Sequence, residues 1–355
     1  MDPQTIRQII FFRPGAVGDF VFALPCLATL KSCLPEARLT YIGDSWHKDF
    51  LSQRASAVDE VLVLPACEGI NAKASDDIAL ERFIAGIRER SADLALQAYG
   101  GGRFSNPLIR RLGARLSIGW RAADAPALDR SLPFHELQNR RLQLLELAAL
   151  AGANAQCTSV LRPGITLTMA DRKEAEQVLP NNGQAFALLQ PGASDPRRRW
   201  PAENFARVGD WLSSQGMCVA VNGTSAERET VHAVISAMRC SAVNLSDLGT
   251  HASLTLGGLC GLLHRATFLV SNDTGPLHLA TELGTPAVGI YWLTNLIESL
   301  PLQQSAHRAA WAKRTHCTVC GMDNVHQRCE HQQSFVSEIS VEEVIGLAEA
   351  LLNER

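Results

Sequence analysis

Short apolar runs alternate with amphipathic helical stretches along this chain, then lose the rhythm and take it up again. That double alternation limits the fold more than any single residue. In the first half the pattern predicts strands at 9–13, 38–42, 58–64 and 92–97, with helices at 19–33, 78–90 and 137–150. The last of these helices is expected to turn Gln138, Arg141 and Gln143 to solvent. The rhythm lapses over 152–172, which holds Pro163-Gly164 and reads as a linker. It resumes with strands at 185–190, 218–222, 268–271 and 287–291, and helices at 202–215, 226–238, 254–264 and 275–282. Strands separated by helices imply parallel sheets covered on both faces. Two such runs in 355 residues imply two doubly wound α/β domains facing a central cleft, with ligand-binding loops beyond the carboxyl ends of the strands. The expected domains are 1–165 and 166–335. A final helix over 336–355, opened by Ser340-x-x-Glu343, is expected to pack back toward the first domain.

Several classes drop out on composition. A formal net charge of −3 gives no chain-wide basic field for nucleic acid. The apolar run at 9–12 is too short for a signal peptide, and Gly, Thr, Ser and His interrupt the uncharged stretch 248–264, so no membrane span is predicted. Ten cysteines in mostly apolar surroundings suit reduced, buried thiols better than a disulfide framework, which points to a cytoplasmic location.

Three stretches carry chemistry. The first, Arg13-Pro-Gly-Ala-Val-Gly-Asp19, is a glycine-punctuated turn between a strand and a helix. It has neither the G-x-G-x-x-G spacing nor the Lys-Ser/Thr of a phosphate loop. A carboxylate here would repel a phosphate, yet the helix dipole favours it. Asp19 reads either as a helix-terminal carboxylate or as a general base. The second, Ser271-Asn-Asp-Thr-Gly-Pro-Leu-His278, follows a strand and opens a helix, so amide donors and a hydroxyl together suit a diphosphate. The third, Gln190-Pro-Gly-Ala-Ser-Asp-Pro-Arg-Arg-Arg-Trp-Pro201, places three adjacent cations on a loop. They read as a solvated face, or as Arg198 and Arg199 neutralising a leaving diphosphate.

With "RPGAVGDFVFALPCLATLK", "LLQPGASDPRRRWPAENFARV", "VNGTSAERE" and "FLVSNDTGPLHLATELGTPAVGIYW" in this order, the chain resembles glycosyltransferase family 9, the ADP-heptose:lipopolysaccharide heptosyltransferases, over most of its length. The resemblance implies a GT-B fold and an inverting, metal-independent transfer from an ADP-sugar to a lipopolysaccharide core hydroxyl. By motif, Asp19 looks like the catalytic base, and Asp273, Thr274, Gly275 and His278 match the donor block. Arg198 stands where members commonly carry Lys, and Glu227 falls in a segment similar to the nucleoside-side contact. "QAYGGGRFSN" resembles the acceptor-side segment, so Arg103 and Ser105, with Arg13, are acceptor-side candidates. After Gly289 the usual G-P-T-D-P turn is replaced by "IYWLTN", which leaves the donor sugar open. Expected partners are a nucleotide-sugar donor and a lipid-linked saccharide, with no nucleic acid, a monomeric enzyme, and room for peripheral contact at the cytoplasmic face of the inner membrane.

No D-x-D occurs in the chain, which fits diphosphate neutralisation by protein charge, and the resemblance implies that no cofactor is required for catalysis. Cys317-x-x-Cys320-x₈-Cys329, with His316, His326 and His331 nearby, reads either as a structural zinc site or as reduced thiols under the last helix; no catalytic metal is assigned. Competing functional readings are a nucleotide-sugar-binding protein without turnover, a family member with another donor or acceptor, and a dinucleotide-dependent oxidoreductase. The last is disfavoured, since Gly15-x-x-Gly18 lacks the third glycine even if Asp44 is granted as the ribose acid.

Overall fold

A computed structural model of the chain describes residues 5–153, 164–179, 183–247 and 254–354. It divides into two compact units, Met1–Thr166 and Leu167–Arg355. In the first unit, β1 (Gln8–Phe12) leads through a turn into α1 (Val17–Cys33). Then follow β2 (Arg38–Gly43), α2 (Ser45–Leu51), β3 (Glu60–Val63), α3 (Asp77–Arg88), β4 (Leu94–Gln97), α4 (Ser105–Arg111), β5 (Leu116–Arg121), β6 (Arg130–Pro133) and α5 (Arg140–Leu150). All six strands are parallel, in the order β3-β2-β1-β4-β5-β6. β1 is paired on both sides, with Phe12 opposite Ile42 and Gln97, and its apolar run is unbroken because it is covered on both faces. The strand order reverses between β1 and β4, so the turn after β1 lies at the switch point where such sheets bind ligands.

The second unit repeats the topology. It comprises α6 (Met169–Val178), β7 (Phe186–Gln190), α7 (Ala202–Ser214), β8 (Cys218–Val221), α8 (Arg228–Ala237), β9 (Ala242–Asn244), α9 (Leu256–Arg265), β10 (Phe268–Asn272), α10 (Gly275–Leu283), β11 (Ala287–Trp292), α11 (Leu293–Ser299), β12 (His307–Ala312) and α12 (Val341–Asn353). Its parallel sheet runs β12-β11-β10-β7-β8-β9. Here the order reverses between β7 and β10, which sets the loop after β7 beside the turn after β10.

Packing corrects the sequence pattern in three places. Arg141 and Gln143 are not a solvent face: each is 1 % exposed, while Leu142 is 47 % exposed. The inner side of α5 lies on α1, where the Arg141 guanidinium sits 4.8 Å from the Phe22 ring and Gln143 Nε2 donates to the His135 carbonyl at 3.0 Å. Polar groups with partners can be buried, and periodicity alone does not show the partners. The expected linker is partly a helix, because Thr168 and Asp171 cap α6; residues 154–163, including Pro163, lie outside those described. The last helix, expected to return to the first domain, packs mainly on α7, β11 and β12 of the second unit. There Val344, Ala348 and Leu351 join Phe335, Val336 and Trp292 in one core.

Among the described residues no helix is long and apolar enough to cross a membrane. The nine cysteines among them are all free thiols.

Candidate functional site

In the first unit the turn after β1 is built around carboxylates. Gly15 has φ +132°, a conformation that suits glycine, and its N–H donates to Asp44 Oδ2 at 2.7 Å. Asp44 arrives from the end of β2, where a dinucleotide-binding sheet would keep its ribose acid. The Ala16 N–H meets Asp19 Oδ2 at 3.3 Å. The amides that would greet a phosphate already face two carboxylates. That geometry rejects the dinucleotide reading on physical grounds.

Asp19 itself is held from one side only. Arg13, 4 % exposed, donates from Nε to the Asp19 carbonyl at 2.7 Å and from Nη2 to Asp19 Oδ1 at 2.9 Å, while Nη1 holds the Ala98 carbonyl. Tyr41 OH fixes the Arg13 carbonyl at 2.6 Å. The Asp19 side chain remains 45 % exposed, and among the described residues Oδ2 carries only the long amide contact. An oriented, accessible carboxylate is what a general base requires. Arg13, expected on the acceptor side, therefore orients Asp19.

The other acceptor-side candidates separate. Ser105 is 2 % exposed; its hydroxyl donates to the Tyr99 carbonyl at 3.1 Å and receives Gln97 Nε2 at 2.5 Å. Its burial and these two bonds place it in the packing of the 97–105 loop. Arg103 is exposed, 3.5 Å from Asp124 in an open ion pair that a ligand can displace.

In the second unit the three arginines have three different jobs. Arg197 is buried against Asp195 at 2.6 Å and donates to Asn324 Oδ1 at 3.0 Å. Arg199 is half-buried and donates to the Ala193 carbonyl at 2.9 Å. Arg198 reaches Asp273 Oδ2 at 3.4 Å and Ser194 Oγ at 2.9 Å. Asp273 is 4 % exposed, with His278 Nε2 3.1 Å and Ser299 Oγ 2.8 Å from its Oδ1. Burial raises the Asp273 carboxyl pKa, but the His278 hydrogen bond and charge, the Arg198 charge and the Ser299 hydroxyl outweigh it and hold the group below the usual carboxylate range. Asp273 and His278 thus face one another and fix Arg198 in place. What remains open toward an anion is the N-terminus of α10, where Thr274 makes no side-chain cap and Gly275 begins the helix.

Glu227 caps its own turn, receiving Thr224 N–H at 2.9 Å, and lies against Gly192, where a Cβ would collide with its carboxylate. It stands beside the Pro191-Gly192 turn at the carboxyl end of β7. Two residues missed in the sequence complete the arrangement. Asn272 takes the Trp200 N–H at 3.1 Å and donates to the Pro191 carbonyl at 2.7 Å, clamping both ends of the arginine loop. Its only signal was an Asn before the Asp at a strand end. Ser299 comes from α11, which follows β11 directly in the segment "IYWLTN".

A family model described as glycosyltransferase family 9 (heptosyltransferase) matches residues 80–329. The chain belongs to glycosyltransferase family 9. Among similar proteins in the family, lipooligosaccharide heptosyltransferase 2 of Haemophilus influenzae is 24 % identical over 318 residues, covering 84 % of this chain and 87 % of that one. Lipopolysaccharide heptosyltransferase 2 of Escherichia coli K12 is 22 % identical over 84 % of this chain and 86 % of its own. Among solved structures, a family 9 glycosyl transferase from Veillonella parvula superposes with a TM-score of 0.81 at 21 % identity, covering 100 % of this chain and 99 % of that one. The E. coli ADP-heptose lipopolysaccharide heptosyltransferase II gives 0.73 at 19 % identity, over 98 % and 99 %. The fold is GT-B, and the enzyme is a glycosyltransferase of family 9.

Proposed function

We propose that this glycosyltransferase moves a heptose from ADP-heptose to a hydroxyl of the lipopolysaccharide core, with inversion at the anomeric carbon and without a catalytic metal. The observation that carries the reading is the contrast between the two switch points. In the first unit the turn amides face carboxylates. In the second, an uncapped helix N-terminus follows Asp273, which holds Arg198. A diphosphate belongs with the second and a base with the first. The family description and the names of the relatives, lipopolysaccharide heptosyltransferases among them, support the sugar and the acceptor; one neighbour is described as E. coli heptosyltransferase WaaC with ADP.

In this reading the acceptor oxygen attacks the anomeric carbon as its proton passes to Asp19 Oδ2, the oxygen less firmly held. Oδ1 stays on Arg13, so the carboxylate keeps its aim while it is protonated. The bond to the diphosphate breaks on the opposite face, and its electron pair leaves with ADP. Arg198 and the first-turn amides of α10 stabilise the charge that develops there. Glu227 lies on the nucleoside side and Arg103 on the acceptor side. The reaction takes place at the cytoplasmic face of the inner membrane, where a lipid-linked acceptor is presented.

The test is a thermal-shift comparison of ADP, UDP and GDP followed by a transfer assay. At a hundredfold excess over Kd a ligand stabilises by about 2.7 kcal/mol. ADP is expected to stabilise the protein most. Equal stabilisation by all three, or transfer from a UDP-sugar alone, overturns the donor assignment.

A further inference from the structure

Between Ala312, which ends β12, and Val341, which opens α12, the chain runs without a helix or strand. So long an irregular segment needs something other than a sheet ladder to hold it. Cys317 and Cys320 sit on a tight knuckle in which Gly321 N–H donates to the Cys317 carbonyl at 2.9 Å and Cys317 N–H to the Met322 carbonyl at 2.9 Å. Gly321 closes it with φ +72°, a left-handed conformation that glycine adopts without strain. Val319 N–H points at Cys317 Sγ, 3.4 Å away, as backbone amides do toward metal-bound thiolates.

Cys329 and His331 come to the same point from the other side of the loop. The three Sγ atoms and a His331 ring nitrogen lie within 4.8 Å of one another. Four ligands around tetrahedral zinc sit about 3.3–3.8 Å apart, so a contraction of about 1 Å completes the site. His331 Nδ1 is buried with no hydrogen-bond partner, an arrangement that a metal bond would satisfy. Around the cluster, Asn324 Oδ1 receives both the Cys329 N–H at 3.3 Å and Arg197 Nη1 at 3.0 Å. A three-thiolate, one-imidazole zinc centre carries a net negative charge, and through Asn324 it is linked to the buried Arg197 guanidinium, which is also paired with Asp195.

We propose that Cys317, Cys320, Cys329 and His331 bind one zinc ion as a closed structural site. Four protein ligands leave no open position, so the metal takes no part in sugar transfer. Its task is to brace the loop. The same loop holds the arginine turn by its backbone: Phe335 N–H donates to the Arg197 carbonyl at 2.8 Å and Ser334 Oγ to the Arg199 carbonyl at 2.6 Å. Zinc therefore steadies Arg198, a consequence that rests on the donor-site reading above.

The experiment uses the full-length chain. Elemental analysis after gel filtration is expected to find one zinc per chain, and replacement by cobalt(II) to give the strong visible absorption of a tetrahedral thiolate centre. Cys320→Ser, at an exposed ligand, is expected to lose metal, whereas Cys240→Ser, at an exposed cysteine outside the cluster, keeps it. Stripping zinc from the unmodified protein with a chelator is expected to lower its Tm, a readout that no variant's folding can confuse. Protein free of metal as purified, silent to cobalt and indifferent to chelator overturns the site. One equivalent of iron in place of zinc overturns the metal assignment. Zinc removal that lowers Tm but leaves ADP affinity unchanged overturns the link to Arg198 while the zinc site stands.

Discussion

Replacing Asp19 by Asn tests the division of labour most directly, because it removes the basicity and nearly preserves the shape. The Asn carbonyl oxygen can keep the Oδ1 position on Arg13 Nη2, held at 2.9 Å in the native turn. Its NH₂ would then replace Oδ2 and lose the 3.3 Å contact with the Ala16 N–H. Arg13 stays in place through the Asp19 and Ala98 carbonyls. Since the Asp19 side chain is 45 % exposed, the lost ion pair costs only about 1 kcal/mol of stability. A well-placed general base contributes about 10²–10⁴ in rate, or about 2.7–5.5 kcal/mol of barrier. The effect on turnover should therefore exceed the effect on folding several-fold. ADP release measured with ADP-heptose and a core acceptor should show kcat reduced by about two to four decades. Calorimetric titration should show ADP affinity unchanged, because the diphosphate seat proposed above lies in the second unit. A variant that turns over within about threefold of the parent would refute the base assignment. A variant that loses ADP binding while still folded would refute the split between base and diphosphate seat.

Arg198→Ala should weaken ADP by about 10- to 100-fold, the value of a charge-assisted contact to phosphate, with little change in Tm because Asp273 keeps His278 and Ser299. Titration calorimetry checks it, and an unchanged Kd clears the arginine of that role. A third prediction concerns acid stability. His47 is 1 % exposed, its Nδ1 receives the Asp44 N–H at 3.0 Å, and burial lowers its pKa from 6.5 to about 4 against the pull of Asp44. Its folded value lies below the unfolded one, so the neutral ring favours folding above pH 6.5 and that contribution is lost as pH falls toward 4. The loss is about 3 kcal/mol. Urea unfolding of the parent and of His47→Gln between pH 7 and 4 should give converging stabilities; parallel curves would reject the buried neutral histidine.

The alternation of strands and helices was enough to place two parallel sheets, since a strand covered on both faces carries a continuous apolar run, as β1 does over 9–12, β7 over 186–189 and β10 over 268–270. Other elements escaped. β5, β6, β9 and β12 lie in the outer half of their sheets, and α2, α4 and α11 are too short for a helical period to stand out. The candidate site was legible as motifs but not as roles. Ser105 and Arg13 look like ligand contacts in one dimension, and only burial shows them holding other groups.

The sequence by itself determined the fold class and the family, because each depends on local pattern and on residue types in order. The tertiary structure decided which polar groups have partners. It matched Gly15 with Asp44, 29 residues on, tied Asn272 to both ends of the arginine loop, and gathered three cysteines and a histidine around one point. Hydrogen bonds and charges act through space with steep dependence on distance and solvent exposure, and neither quantity is written in the order of the residues.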